Sequence, residues 1–272
     1  TRLVVREANT ISVSSKNSLN FKARILPILM KFLYPLADAV IAVSEGVAKD
    51  LTQIIGLPAE KVKVIYNPVI TPEIFKKAEE PIKHPWFAPG ELPVILGVGR
   101  LTKQKDFITL IRAFDIVRKE YPSRLVILGE GEERPELEAL VQELDLEQYV
   151  NMPGFVENPF SYMKKAAVFV LSSRWEGLPN VLIQALALGI PVVSTACPSG
   201  PTEILEKGKL GRLVPVGNEV IMAKAILEEL KKQNKSGLNE CVQNNIFKRF
   251  HINKITESYL TLIQGMDKYN VD

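Results

Sequence analysis

Short apolar runs punctuated by polar and glycine-rich stretches recur along the chain. They fall at Leu3–Val5, Ala39–Val43, Val62–Tyr66, Val94–Val98, Leu125–Leu128, Val168–Leu171 and Pro191–Ser194. Runs this short and uniformly apolar are what strands covered on both faces of a parallel sheet require. Between most of them, apolar positions recur with helical period. They predict helices over Ala23–Leu36, Glu45–Ile55, Phe107–Glu120, Glu133–Leu144 and Asn180–Leu188. A further short strand is predicted at Tyr149–Met152. Strand alternating with helix defines an α/β architecture of parallel sheets with right-handed crossovers.

The alternation is interrupted once. Residues 67–93 carry Pro68, Pro72, Pro81, Pro85, Pro89 and Pro93 among mixed charges, a composition that resists regular structure. A complete set of alternating elements follows, from Val94 to about Val214. Only three strands and two helices precede it, too few to close a doubly wound sheet. We therefore expect residues 1–68 to be the later part of one Rossmann-like domain, 69–93 a linker, and 94–250 a whole second domain. Residues 219–269 are mostly helical, interrupted at 233–237, with 251–272 a helix packing back toward the first domain. Thr1 stands where a methionine would, and the chain opens in what reads as mid-fold strand. The natural protein is expected to begin further upstream, by roughly a hundred residues if each domain has the usual size.

Composition narrows the function classes. The 272 residues are 46% hydrophobic and 24% charged, with a net charge of +3 from 34 basic and 31 acidic side chains. That balance gives no reason to expect nucleic acid as a partner. Two distant cysteines, Cys197 and Cys241, form no metal-ligand pattern and point to a reducing, cytoplasmic setting. Two histidines, His84 and His251, leave almost no room for a catalytic triad or a histidine-rich metal site.

The candidate chemistry lies in the strand-to-helix loops, since ligands bind outside the carboxyl ends of the strands in open parallel sheets. After Ala166–Leu171 comes Ser172-Ser-Arg-Trp-Glu176-Gly177-Leu178-Pro179-Asn180-Val181. Its helix opens near Pro179, a residue favoured at a first helical position, and its leading amides suit an anion. Glu176 has no packing use there, although a carboxylate also complements a helix dipole. After Val94–Val98 comes Gly99-Arg100-Leu101-Thr102-Lys103-Gln104-Lys105. Its two cations, Arg100 and Lys105, could neutralise a diphosphate, or could simply be solvated. Neither Gly-x-Gly-x-x-Gly nor a Gly-Lys-Ser/Thr phosphate loop is present. Gly129-Glu130-Gly131 and Gly154-Phe155-Val156 are further strand exits. Ser199 or Thr202 is expected to cap a helix carrying Glu203 in its first turn. The segment Phe21–Leu36 mixes cations with a wide apolar face. Such a helix can rest on an anionic membrane surface, and core packing is the commoner use of an apolar face.

Together, Gly99-Arg100-Leu101 with Lys105, Gly129-Glu130-Gly131, Gly154-Phe155-Val156 and Glu176-Gly177-Leu178-Pro179-Asn180 with Gln184-Ala185 resemble the retaining glycosyltransferases of family 4, most strongly from Val94 to Val214. Val4-Val5-Arg6-Glu7-Ala8-Asn9, Ala42-Val43-Ser44-Glu45 and Val64-Ile65-Tyr66-Asn67-Pro68 resemble the end of that family's first domain. The resemblance implies a glycosyltransferase-B fold and a hexosyl-type transferase in glycan, polysaccharide or glycolipid biosynthesis. Its donor would be a UDP- or GDP-sugar and its acceptor a glycan or lipid-linked hydroxyl, at the inner face of the membrane. Arg100 and Lys105 would grip the diphosphate, with amides near Asn180 and Val181 completing the seat. Glu176, with Gly177 and Leu178 beside it, would orient the transferred sugar, and Val156 would meet the base. Gln184 stands where the family has a second glutamate that binds the ribose hydroxyls. No metal or other cofactor is implied. The alternative is a nucleotide-sugar-binding module or inactive fragment without turnover.

Overall fold

The computed structural model describes residues 2–17, 21–232 and 240–267; the expected break at 233–237 lies outside them. Among the described residues nine strands occur: β1 (Val4–Glu7), β2 (Ala39–Ala42), β3 (Val62–Val64), β4 (Val94–Val98), β5 (Arg124–Leu128), β6 (Val150–Gly154), β7 (Val168–Leu171), β8 (Val192–Thr195) and β9 (Arg212–Val214). The helices are α1 (Ile11–Asn17), α2 (Phe21–Leu33), α3 (Glu45–Lys49), α4 (Pro72–Ala78), α5 (Phe107–Glu120) and α6 (Arg134–Glu143). They continue with α7 (Pro159–Lys165), α8 (Asn180–Ala187), α9 (Pro201–Ile204), α10 (Glu219–Lys232), α11 (Glu240–Phe250) and α12 (Ile252–Asp267).

Two all-parallel sheets result. The first has the order β1-β2-β3 and the second β6-β5-β4-β7-β8-β9. In the second, the chain winds outward from β4 in one direction and then from β7 in the other. The order therefore reverses between β4 and β7, and the loops leaving those two strands diverge around a crevice. Such a switch point is where open α/β sheets bind ligands.

Side-chain alternation along β4 splits the core of this lobe. Val94 and Leu96 face α8, beside Leu182, Ile183 and Leu186, while Ile95 faces α5 and α10 with Leu110, Phe114 and Ile226. The α8-side cluster continues into the first lobe through Val40, Ala42, Ile70 and Phe250, so the two lobes share apolar packing. The chain crosses back at His251, where Ile70 N–H donates to Phe250 O and Ile252 N–H to Ile70 O. Beyond that crossing, Ile255 of α12 is buried with Ile41 and Ile65 of the first sheet.

The proline-rich segment differs from its expected irregularity. It contains α4, with Pro72 in the first helical turn, and a single 3-10 turn at Pro85–Phe87. Proline lacks only an N–H that a first turn leaves unpaired anyway. Ile74 and Ala78 of α4 are buried and hold the helix in place. The same start escaped the sequence reading at Pro159 of α7. Pro179, expected at the opening of this helix, is the N-cap of α8, which begins at Asn180 as expected. Among the described residues, no helix is long and apolar enough to cross a membrane.

Candidate functional site

The loops after β4 and β7 meet at the switch point. Lys105 Nζ lies 2.6 Å from Glu176 Oε1, and the two side chains are 14% and 7% exposed. Ser173 Oγ donates to the same oxygen at 2.6 Å. A nearly dry carboxylate is thus held by an ammonium and a hydroxyl. Its loop is fastened to the first one by Arg174 N–H to Gln104 O, Gln104 Nε2 to Trp175 O and Ser172 Oγ to Lys105 O, all between 2.7 and 2.9 Å.

Asp106, next to Lys105, is buried with φ of +50°, a conformation aspartate tolerates better than most residues. Its carboxylate pairs with Arg174 at 3.0 Å and accepts from Thr109 Oγ1 at 2.9 Å. This ion pair clamps the backbone that presents Lys105.

Arg100 is exposed and makes no ion pair among the described residues. It lines a cavity of about 390 Å³ with Gly99, Gly129, Glu130, Phe155 and Val156. The Arg134 guanidinium pins Glu130 in a two-pronged ion pair (2.7 and 2.8 Å) and lowers its pKa from the usual glutamate value. Gly129 is needed at this edge: its φ is +142°, and a Cβ there would overlap Gly99 O.

Asn180 and Val181 head α8, where amides lack intrahelical partners. The Asn180 side chain is exposed and accepts from Asn67 Nδ2 at 2.7 Å, and Asn67 in turn accepts from Arg6. Gln184 lies half-buried one turn further along. The structure therefore brings together Lys105, Glu176 and the start of α8, with Arg100 and Val156 in the adjoining cavity.

Some members of this site escaped the sequence reading because they come from the other lobe. Thr10 Oγ1 donates to Glu176 O and Ser44 Oγ to Gly177 O at 2.9 Å, an oxygen that Ser199 of the second lobe also reaches at 2.9 Å. Neither Ser199 nor Thr202 caps a helix as expected, although Glu203 does lie in the first turn of α9. Gly200 is the N-cap of α9 and no side chain caps it. Glu203 accepts from the Glu45 amide (3.1 and 3.2 Å) and the Tyr66 hydroxyl (2.6 Å) across the crevice. Gly177 has no Cβ because one would overlap the Ala8 carbonyl of the first lobe.

The Cys197 thiol is pushed up to about 12, by burial first and by the Glu176 charge second, so it stays protonated at neutral pH and is no nucleophile. His84 packs edge-on against Trp86, Phe87 and Tyr162, and His251 lies against Phe247. Among the described residues, no group of three metal-ligating side chains is assembled.

Two parallel-sheet lobes closed on a crevice, with the ion pair at the switch point of the second, define a protein of the glycosyltransferase-B fold. Residues 92–232 match the model of glycosyl transferases group 1, and residues 10–72 that of glycosyltransferase family 4. The chain belongs to this glycosyltransferase family. It is 39% identical over 234 residues to the Campylobacter jejuni N-acetylgalactosamine-N,N'-diacetylbacillosaminyl-diphospho-undecaprenol 4-alpha-N-acetylgalactosaminyltransferase, covering 85% of this chain and 62% of that protein. With an uncharacterized glycosyltransferase of Methanocaldococcus jannaschii the identity is 32% over 281 residues, covering 89% of this chain and 67% of that one. The chain thus spans about two thirds of the length of these relatives. Among solved structures, Anabaena HepE in complex with UDP-glucose superposes with a TM-score of 0.80 at 23% identity, covering 97% of this chain and 72% of that one.

Proposed function

We propose that this chain carries the donor side of a retaining hexosyl-type glycosyltransferase, which moves a sugar from a UDP- or GDP-sugar to an acceptor hydroxyl. The observation that carries the reading is the Lys105–Glu176 pair at the switch point, 2.6 Å across and almost dry. The likeness to HepE, whose structure is in complex with UDP-glucose, supports a nucleotide-sugar donor. The undecaprenol-linked acceptor in the Campylobacter relative's name supports a lipid-linked acceptor and a role in glycan or lipopolysaccharide assembly.

In this mechanism the nucleotide diphosphate enters beside α8. Lys105 reaches its phosphate while still facing Glu176, Arg100 meets it from the cavity, and the Asn180 and Val181 amides complete the seat. The base lies toward Val156 and the ribose toward Gln184, whose amide hydrogen-bonds hydroxyls without a charge. Glu176, with the Gly177 and Leu178 backbone, orients the sugar. The bond from the anomeric carbon to the phosphate oxygen then breaks and leaves an oxocarbenium-like sugar. The acceptor oxygen attacks the same face, and its proton passes to the departing diphosphate. Charge gathering on that diphosphate is what the two cations and the helix start stabilise; losing one such group costs roughly a hundredfold in rate. No step calls on a metal ion.

Calorimetry with UDP, GDP and a panel of their sugars tests the reading. Arg100→Ala, at an exposed position, is expected to weaken nucleotide affinity with an unchanged unfolding transition; undiminished affinity refutes the assignment. The neutral Gln184 favours a second reading, a module that binds the nucleotide sugar without turnover. Binding of a donor with no transfer to any added acceptor would select it.

A further inference from the structure

The loop leaving β8 holds a backbone conformation that a side chain resists. Ser199 and Gly200 are both left-handed, with φ of +66° and +85°. Glycine adopts that region freely, whereas a serine must be held there by its surroundings, and such strain gathers where function needs it. The restraint is the hydroxyl. Ser199 Oγ lies 2.9 Å from Gly177 O and 2.7 Å from Ser44 Oγ, which is itself 2.9 Å from the same carbonyl. Ser44 is fully buried and fixed as the N-cap of α3, accepting from Val47 N–H at 3.2 Å. One residue earlier, Glu176 O accepts from the hydroxyl of buried Thr10, and the Glu176 amide donates to Pro198 O at 3.2 Å. Two successive carbonyls of the Glu176 loop are therefore gripped by hydroxyls, two of the three from the first lobe.

A trans peptide is planar, so its N–H points opposite to its C=O, and the described chain has no cis peptide. Holding Glu176 O and Gly177 O against those hydroxyls turns the amides of Gly177 and Leu178 away from them. Neither amide has a hydrogen-bond acceptor among the described residues. Both donors stand beside the Glu176 carboxylate, where the proposed function puts the transferred sugar. We propose that Thr10, Ser44 and Ser199 are positioning residues. Their hydroxyls aim the Gly177 and Leu178 amides at oxygens of the sugar, so sugar recognition is assembled only while the two lobes touch. The inference rests on the donor-site reading, and it leaves the diphosphate to Arg100, Lys105 and the start of α8.

Calorimetry of the 272-residue chain with UDP, UDP-glucose and UDP-N-acetylglucosamine tests it, alongside urea unfolding. Ser199→Gly relieves the left-handed backbone as it removes the hydroxyl, so the unfolding transition should hold. Thr10→Val removes the other hydroxyl at nearly constant shape, and Thr10→Ser keeps it. Ser199→Gly and Thr10→Val are each expected to lower affinity for the sugar nucleotides by about fivefold, the worth of one hydrogen bond, with UDP affinity unchanged. Thr10→Ser should behave as the unsubstituted chain. A merely structural role would lower UDP and UDP-sugar affinity together. An unchanged ratio of UDP-sugar to UDP affinity in Ser199→Gly and Thr10→Val, with UDP still bound, overturns this inference alone. Failure of the unsubstituted chain to bind UDP overturns the donor-site reading and this inference with it.

Discussion

Replacing Lys105 with methionine keeps the length of the stem and removes the charge. Glu176 would then lie 7% exposed without its ammonium partner, with Ser173 as its remaining side-chain donor. Breaking a buried pair by deleting one partner typically costs 3–5 kcal/mol, because the other charge is stranded. The Ser173 bond offsets part of this, so a loss of about 3 kcal/mol is expected for Lys105→Met. Adding Glu176→Gln removes the stranded charge, and the double variant should return to within about 1 kcal/mol of the unsubstituted protein. Nucleotide binding should behave differently. A charged hydrogen bond to phosphate is worth about 1.5–3 kcal/mol, so UDP affinity should fall roughly tenfold to a hundredfold in both variants. Urea unfolding measures the first quantity and calorimetry the second. If the double variant is less stable than Lys105→Met, the pair is not what neutralises Glu176. If UDP affinity recovers along with stability, Lys105 acts only as a strut and the phosphate role is wrong.

Arg174→Ala leaves buried Asp106 with Thr109 as its side-chain partner; it should cost about 2 kcal/mol of stability and weaken UDP binding through the displaced Lys105 loop, while Arg174→Lys should restore part of each. Gly177→Ala places a Cβ against the Ala8 carbonyl, so the lobes should part; small-angle scattering is expected to show a larger radius of gyration than for the unsubstituted chain, and an unchanged radius contradicts the close approach. Cys197, with its thiol pushed up to about 12, should resist Ellman's reagent at pH 8 until the protein unfolds, because only the thiolate reacts, whereas exposed Cys241 should react at once; rapid modification of both rules out the buried protonated thiol.

Strands and long helices could be read locally. Val94–Val98, Val168–Leu171 and Phe107–Glu120 fall where the apolar pattern put them, because period and glycine punctuation are properties of neighbouring residues. The two loops around the crevice were equally legible, since each follows a buried strand and opens a helix. What escaped was short or proline-led. α4 and α7 carry too few residues to show a period, and β9 has three.

By itself the chain determined where the longer strands and helices form, and which strand exits carry cations, glycines and an acid. Only the tertiary structure decided that Lys105 meets Glu176, that Arg174 clamps Asp106, and that Ser44, Ser199 and Glu203 close the crevice from both sides. The reason is physical. Local pattern records the torsional and burial preferences of adjacent residues, whereas a 2.6 Å contact between residues 71 apart depends on strand order. That order follows from how whole helices pack on a sheet, and no short window of sequence contains it.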